Sequence, residues 1–443
     1  MLQYYHSVTL DVDKCKGCTN CIKGCPTEAI RVRNGKARIL ENKCIDCGEC
    51  IRICPNSAKY ASSDSLDKLK DYKVKVALPA PSFFGQFKED TSIRSVLSAL
   101  KKMGFDEVSE VPYAAEEISI AIRKYIDTHT DIRPLISSSC PAVLRLVQVR
   151  FPELIRNIIL IKAPVEIAAK RAKEKISHVY GVPEADIGAF FISPCPAKVT
   201  AVKQPIGTDK SDVDGVLSIA DIYGEVLKNL GEEEYDSVLP NSSGIGIGWG
   251  RSGGENLAIG GDNHLAVDGI HNCIQVLEEV EMGKLNDIDY IECQACVGGC
   301  IGGALTVENH FIARVKIRRL AEKIGLKSNV DEKEVMQKYN NKYYHLKKEI
   351  LPKPSMKLDD DIEKAIQKME LLEKTLKELP GLDCGSCGSP NCRALAEDIV
   401  MGEANKTDCV FILRDKVKQL AAEMFDMARK LPPTLETDDK GGD

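Results

Sequence analysis

The stretch 14-KCKGCTNCIKGCP-26 recurs with the same spacing as 43-KCIDCGECIRICP-55, and the two copies hold eight of the chain's 18 cysteines. Each copy reads Cys-x2-Cys-x2-Cys-x3-Cys-Pro, through Cys15, Cys18, Cys21 and Cys25, then through Cys44, Cys47, Cys50 and Cys54. In such a run three thiolates hold one four-iron cluster and the fourth cysteine ligates the other cluster. Cys15, Cys18, Cys21 and Cys54 are therefore expected around one cluster, and Cys44, Cys47, Cys50 and Cys25 around the second. Structural zinc normally uses separated CxxC pairs, and tandem disulfides belong to exported chains. Residues 1 to 13 carry no basic-then-apolar signal segment.

The segment to about Tyr60 thus resembles a bacterial two-cluster ferredoxin, an electron carrier, and the other residues must say where electrons go. The chain has 443 residues, 43% of them hydrophobic, enough for several domains with buried cores. No run approaches the ~18 apolar residues of a membrane span. A net charge of -6 without a concentrated basic face argues against nucleic acid. Cysteine-rich, acidic and without a visible signal, the chain is expected to be soluble and cytoplasmic, with no membrane partner.

After a polar connector at 61–71, the residues 72-YKVKVAL-78 alternate as a strand does and run into the loop Pro79-Ala80-Pro81-Ser82. Beyond it, short apolar runs such as 132-IRPLIS-137 and 187-IGAFFIS-193 alternate with helical patterns such as Ser92 to Met103. That alternation predicts parallel α/β layers. The segment 244-GIGIGWGRSGG-254 lacks the Lys-Ser/Thr ending of a phosphate loop and is expected to be a close-packed turn near a site.

Strand ends are where α/β folds place their sites. Cys140, in 136-ISSSCP-141, and Cys195, in 192-ISPCP-196, each follow an apolar run and precede a proline, while Cys293, Cys296 and Cys300 cluster in 292-ECQACVGGCIGG-303. Three such loops could bring four thiolates onto one cluster. Cys273 has no patterned neighbour and reads as an inert buried thiol.

Here the pattern resembles the catalytic domain of the iron-only, diiron hydrogenases over roughly residues 73 to 321. That family carries the loops TSCCP, PCxxK and ExxxCxxGCxGG, and the chain offers 137-SSSCP-141, 194-PCPAK-198, and Glu292 with Cys296, Gly299 and Cys300. The resemblance implies an H-cluster, a four-iron cluster bridged to a diiron unit bearing CO and cyanide. Cys140, Cys195, Cys296 and Cys300 would be its ligands, with Cys300 the bridge. Ala80, Pro81, Ser82, Pro194 and Lys198 would contact the diiron ligands. An ammonium and a hydroxyl donating to buried cyanides make physical sense, because an anionic ligand without donors is costly to bury.

The departures are equally informative. Ser139 stands where productive members carry a proton-passing cysteine, and a hydroxyl does not give up its proton as a thiol of pKa ~8.5 does. Ser193 and Gln294 replace methionines, and the family's paired glutamates would fall near Ala121 and Ile122, counting from 113-YAAE-116. Ligands without the usual proton wire resemble the sensory subgroup of the family, of low activity. An active enzyme would need another acid, such as Glu116, Glu117 or Glu292. The runner-up is an iron-sulfur scaffold, assembly or electron-adaptor protein without the diiron unit.

A third cysteine set, 384-CGSCGSPNC-392 with Cys409, resembles a small four-iron-cluster domain, so Cys384, Cys387, Cys392 and Cys409 are expected ligands, with a zinc knuckle the alternative. Before it, Ile362, Ile366, Met369, Leu372, Leu376 and Leu379 form one helical stripe, which packs on its own protein or pairs with a partner or second copy. The charged stretch 327–353 reads as solvated.

The expected architecture is α/β and α+β multidomain: a ferredoxin-like domain at 1–60, a hydrogenase domain of two parallel α/β lobes at 73–325, a charged helical connector at 326–375, a small helical iron-sulfur domain at 376–430 and a disordered tail at 431–443. The expected cofactors are two N-terminal 4Fe-4S clusters, the H-cluster and one C-terminal 4Fe-4S cluster. The partners implied are ferredoxin or another electron carrier, H2 and protons, and a signalling protein.

Overall fold

Residues 187-IGAFFIS-193 show no polar alternation, and a strand of that kind needs cover on both faces. In the computed structural model all seven are buried at the centre of a sheet. The structure describes residues 5–231, 235–353, 358–359 and 361–430, so the expected disordered tail lies outside the described residues. The described strands are β1 (Val8–Leu10), β2 (Ile30–Arg33), β3 (Lys36–Ile39), β4 (Lys59–Ala61), β5 (Val74–Pro79), β6 (Glu107–Val108), β7 (Leu135–Ile136), β8 (Ile187–Ser193), β9 (Gly215–Ser218), β10 (His264–Asp268) and β11 (Tyr290–Gln294).

Chain contacts define two compact units, Met1–Cys15 with Ile39–Ser355, and Lys16–Arg38 with Met356–Asp443. The first holds two parallel sheets, as the alternation of strand and helix patterns predicts. One runs β6-β5-β8-β9 and the other β10-β11-β7. Helices Val111–Thr128 and Pro164–Tyr180 cover one face of the larger sheet through Ala114, Ile118, Ile122, Ala168 and Ala172. Leu97, Leu100, Phe105 and Ile222 cover the other face, against Phe190. Proline in the first turn starts each helix that follows a site loop, at Pro141, Pro164 and Pro196, where its missing N–H costs nothing. β1 pairs antiparallel with β4, joining the two ends of the cysteine repeat's first-unit segment.

The stretch 327–353 departs from its expected solvated state. Its helix Glu332–Asn340 sends Val335 and Tyr339 into the main core, Tyr344 is fully buried beside them, and Ile350 joins the smaller lobe's core. Lys and Glu occupy the outward positions, so the high charge conceals an i, i+4 apolar pair.

In the second unit, residues 16–38 group with the C-terminal segment, whereas a boundary at residue 60 was expected from the sequence. The reason is local and polar. Arg31 donates from Nε to both oxygens of Asp398, at 2.9 and 2.6 Å, and Arg33 donates to Asp398 at 2.7 Å and to Ser389 at 2.8 Å. The Val32 amide donates to Gly388 O at 2.7 Å. A buried carboxylate shared by two guanidinium groups satisfies all three charges at once. Of the stripe on the Ile362–Glu378 helix, Leu372 and the following Leu379 pack with Leu395, whereas Ile362, Ile366 and Met369 stay exposed.

Candidate functional site

Four loops leave the carboxyl ends of parallel strands β5, β7, β8 and β11, and all four line one cavity of about 90 Å³. β5 delivers Ala80 and Pro81, β7 delivers Ser139 and Cys140, β8 delivers Pro194, Cys195 and Lys198, and β11 delivers Gln294, Cys296 and Cys300. Residues separated by up to 220 positions meet there because parallel strands bring their carboxyl ends to one edge.

The four sulfurs are desolvated and lie within each other's electrostatic reach. Burial, followed by the neighbouring Cys296 and Cys140 sulfurs, pushes the Cys195 thiol up to about 12. Burial raises Cys300 well above an ordinary thiol, with Cys296, Cys140 and Cys195 adding to it. Cys140 is raised by burial too, though amides of Ala295 and Val143 donate to its sulfur. Four thiolates crowded in a dry cavity are mutually destabilising unless cationic metal sits among them. Cys140 and Cys195 also stand at the N-termini of the helices Pro141–Arg150 and Pro196–Lys203, whose dipoles favour negative charge.

Donors of the kind a buried anionic ligand requires stand in the lining and next to it in the chain. Lys198 Nζ lines the cavity and donates to Ser139 O at 2.8 Å. Ser82 is completely buried, and its hydroxyl has no hydrogen-bond partner. An orphaned hydroxyl at that depth is rare unless it serves a ligand. These residues fit a cyanide-bearing metal group. Gly299, with φ +93°, sets the turn into Cys300, and a Cβ there would lie 2.3 Å from Gln294 Oε1 and 2.5 Å from the Ser252 amide.

The positions where the resemblance implies the family's paired glutamates carry no acid. Ala121 and Ile122 are fully buried apolar residues of the main core. Glu116 accepts from the Ser243 amide at 2.7 Å and from Ser328 at 2.5 Å, and Glu117 pairs with Arg171 at 2.7 Å; neither lines the cavity. Glu292 accepts from the Gly253 and Asn256 amides, both at 2.9 Å, and burial, then Glu255, pushes it up to about 8.

Sequence reasoning passed over Glu255, which does line the cavity. It accepts from Tyr290 at 2.6 Å, Ser137 at 2.8 Å and Ser139 at 3.5 Å, and burial raises its proton affinity. A carboxyl directly after the Gly-rich turn was the available signal, since the turn itself was expected near a site. Arg52 was also missed. Its guanidinium donates to Cys296 Sγ at 3.4 Å and to Gly302 O at 3.1 Å, and Cys47 of the second cysteine run lines the same cavity. Cys293 is turned away and bonds with buried Cys273, in keeping with the inert reading of the latter.

The two N-terminal runs repeat their backbone as well as their cysteines. Positive φ recurs 29 residues apart at Gly17 and Asp46, Thr19 and Gly48, and Glu28 and Ser57. The Cys25 sulfur accepts from the Ala29 amide at 3.2 Å, as Cys54 does from Ala58 at 3.3 Å. Such turns aim amides at sulfur and anionic clusters. In the C-terminal set, Cys387, Cys392 and Cys409 gather on one hydrophobic cluster with Leu372 and Leu395, and Cys384 lies close enough to Cys387 to raise it, after burial and against Arg33.

Comparison with known families gives three matches. The C-terminal domain of the iron-only hydrogenase large subunit matches residues 73–261 and 255–304, a 4Fe-4S dicluster domain matches 7–55, and an Fe-S cluster family matches 379–411. The NADP-reducing hydrogenase subunit HndD of Solidesulfovibrio fructosivorans is 24% identical over 65% of this chain, which spans 55% of that protein. The periplasmic Fe hydrogenase large subunit of Nitratidesulfovibrio vulgaris is 27% identical over 67% of this chain and 86% of its own length. A solved variant of FeFe-hydrogenase HydA1 from Chlamydomonas reinhardtii shares the fold with a TM-score of 0.51 at 15% identity, covering 65% of this chain and 98% of that one. Iron-sulfur cofactors follow from the three family matches together. Among the described residues no helix is long and apolar enough to cross a membrane.

Proposed function

The chain belongs to the iron-only hydrogenase large subunit family, and on that premise we propose that it reacts with H2 reversibly but slowly, as a hydrogen or redox sensor. One observation carries the reading. The cavity keeps four converging thiols and Lys198, the unpartnered Ser82 hydroxyl follows directly on Pro81 of its lining, and Ser139 and the apolar Ala121 and Ile122 stand where the resemblance implies relay groups.

Cys140, Cys195, Cys296 and Cys300 would hold the four-iron part of an H-cluster, with Cys300 shared with the diiron part. When bound, that group supplies H2 cleavage and stores the electrons. The protein's own residues do the rest. Lys198 and Ser82 donate to anionic ligands, and Ala80, Pro81 and Pro194 exclude water from them. Ser139 passes a proton weakly, because its hydroxyl resists ionisation, and Glu255 beside it holds that proton in a buried carboxyl.

Cys47, which shares the cavity wall, would hold the cluster on the side where electrons enter or leave, and Arg52 donates to the Cys296 sulfur. The eight N-terminal cysteines would hold two 4Fe-4S clusters in the crossed pairing the repeat implies, facing a ferredoxin or similar carrier. The third cluster, on Cys384, Cys387, Cys392 and Cys409, would report redox state to a signalling protein.

The test is infrared absorption in the CO and cyanide region on the protein matured with a synthetic diiron complex, together with its H2 oxidation rate. Cyanide bands that shift in Lys198→Met, with slow turnover, are expected. A silent window in protein whose iron-sulfur sites are full would overturn the reading in favour of a scaffold or electron adaptor.

A further inference from the structure

The Val410–Arg429 helix buries none of its 20 residues. Its apolar residues are nevertheless ordered. Val410, Leu413, Val417, Leu420, Met424 and Met427 recur at alternating spacings of three and four, the a and d positions of three successive heptads. All six are exposed, from 43% at Val410 to 67% at Met424. The first turn is anchored by other positions, since Phe411 and Ile412 pack on the cluster of Leu372, Leu395 and Cys409. The seam is therefore the face that the unit's own core leaves open. An exposed apolar stripe of this size calls for cover.

The flanking charges select both the occupant and its direction. Lys416 and Glu423 occupy the g positions; Arg414, Ala421 and Ala428 occupy the e positions. In a parallel pair of copies each g residue faces the next e residue of the other helix, so Lys416 would meet the partner's Ala421 and Glu423 the partner's Ala428. No charge pair forms. In an antiparallel pair g faces g. Val417 then layers on the partner's Leu420, Met424 on the partner's Leu413 and Val410 on the partner's Met427, and Lys416 meets the partner's Glu423. Twofold symmetry makes that ion pair twice and leaves no seam residue unpaired.

We infer that two copies of this chain associate through Val410–Arg429 as a short antiparallel coiled coil. The occupant is a second copy because the helix complements itself in seam and charge alike. The proposed sensing role does not enter the argument, so the pairing stands or falls by itself.

The experiment is anaerobic sedimentation equilibrium of the full, cluster-loaded chain over about a hundredfold concentration range. The mass is expected to rise toward twice the 48.7 kDa of one chain. Val417→Asp with Leu420→Asp should hold it at one chain, with iron content unchanged because both side chains are solvent-exposed in the single chain. Lys416→Glu should weaken association roughly tenfold, the scale of two exposed ion pairs turned repulsive, and adding Glu423→Lys should restore it. A chain monomeric throughout, or a dimer indifferent to the double aspartate variant, overturns the inference. A dimer lost in that variant but unmoved by Lys416→Glu overturns the antiparallel arrangement.

Discussion

Ser139 is one atom away from the thiol that the proposed chemistry lacks, and its neighbours are already in place. Its hydroxyl faces Glu255 at 3.5 Å and its carbonyl accepts from Lys198 at 2.8 Å. Ser139→Cys is expected to raise H2 oxidation by the matured protein by roughly tenfold or more, since a thiol ionises far more readily than a hydroxyl. An unchanged rate would place the proton route elsewhere. Glu255→Gln keeps the size and the acceptor for Tyr290 but removes the exchangeable proton. Turnover should fall by about 10² with the infrared bands intact; loss of the bands as well would mean that Glu255 builds the site rather than serving it. Arg52 makes the third case. Its bond to Cys296 favours the more negative, reduced state, so Arg52→Gln should shift one cluster potential to more negative values. If the bond differs by about 1.4 kcal/mol between redox states, the shift is about 60 mV, read by redox titration. The cysteines were legible as candidates because each sits in a local pattern, the two repeated runs or the loops 136-ISSSCP-141, 192-ISPCP-196 and 292-ECQACVGGCIGG-303. Arg52 was not, and Glu255 showed only as a carboxyl after the Gly-rich turn, since they approach Cys296 and Ser139 across 244 and 116 positions.

At the scale of elements, chain reversals at strand ends do most to position the site. Gly299 allows the turn between Cys296 and Cys300, and any side chain there meets φ +93° and three close neighbours. Gly299→Ala should cost at least about 1 kcal/mol from the backbone alone and move Cys300 off the cavity. The expected result is reduced iron content with secondary structure unchanged by circular dichroism; full iron loading would show that the loop has slack. Strands β5 and β8 were readable from apolar patterning, and the helix Ile93–Lys102 from the helical pattern of Ser92 to Met103. The helix Glu332–Asn340 was obscured by surface charge, because composition averages over faces that packing separates. The grouping of 16–38 with the C-terminal segment could not be read at all. It rests on Asp398 holding two arginines more than 360 residues away, and no periodicity encodes such a pairing.

For the whole molecule, buried carboxyls set how stability responds to pH. Glu110 is pushed from 4.5 up to about 7, by burial and against the hydrogen bonds from Ser242, and Glu292 is pushed up to about 8. A raised carboxyl keeps its proton in the folded chain after the unfolded chain has released it. Its contribution is complete below pH 4.5 and is lost as pH climbs through the folded value. Asp46 and Asp64 are lowered despite burial, by His6 and by the Val216 amide with Lys68 respectively, so their contributions fade only under strong acid. The sum places greatest stability on the acid side of neutrality, with a decline between about pH 5 and pH 8. Glu110→Gln retains the shape and stays neutral, so it should flatten the part of that decline below pH 7, worth at most about 3.5 kcal/mol at about 1.4 kcal/mol per pH unit. Because many large multidomain chains unfold irreversibly, the measurement is the unfolding rate under anaerobic conditions at fixed temperature, followed across the pH series. Parallel pH profiles for the variant and the parent would show that Glu110 ionises in the folded chain at its ordinary value.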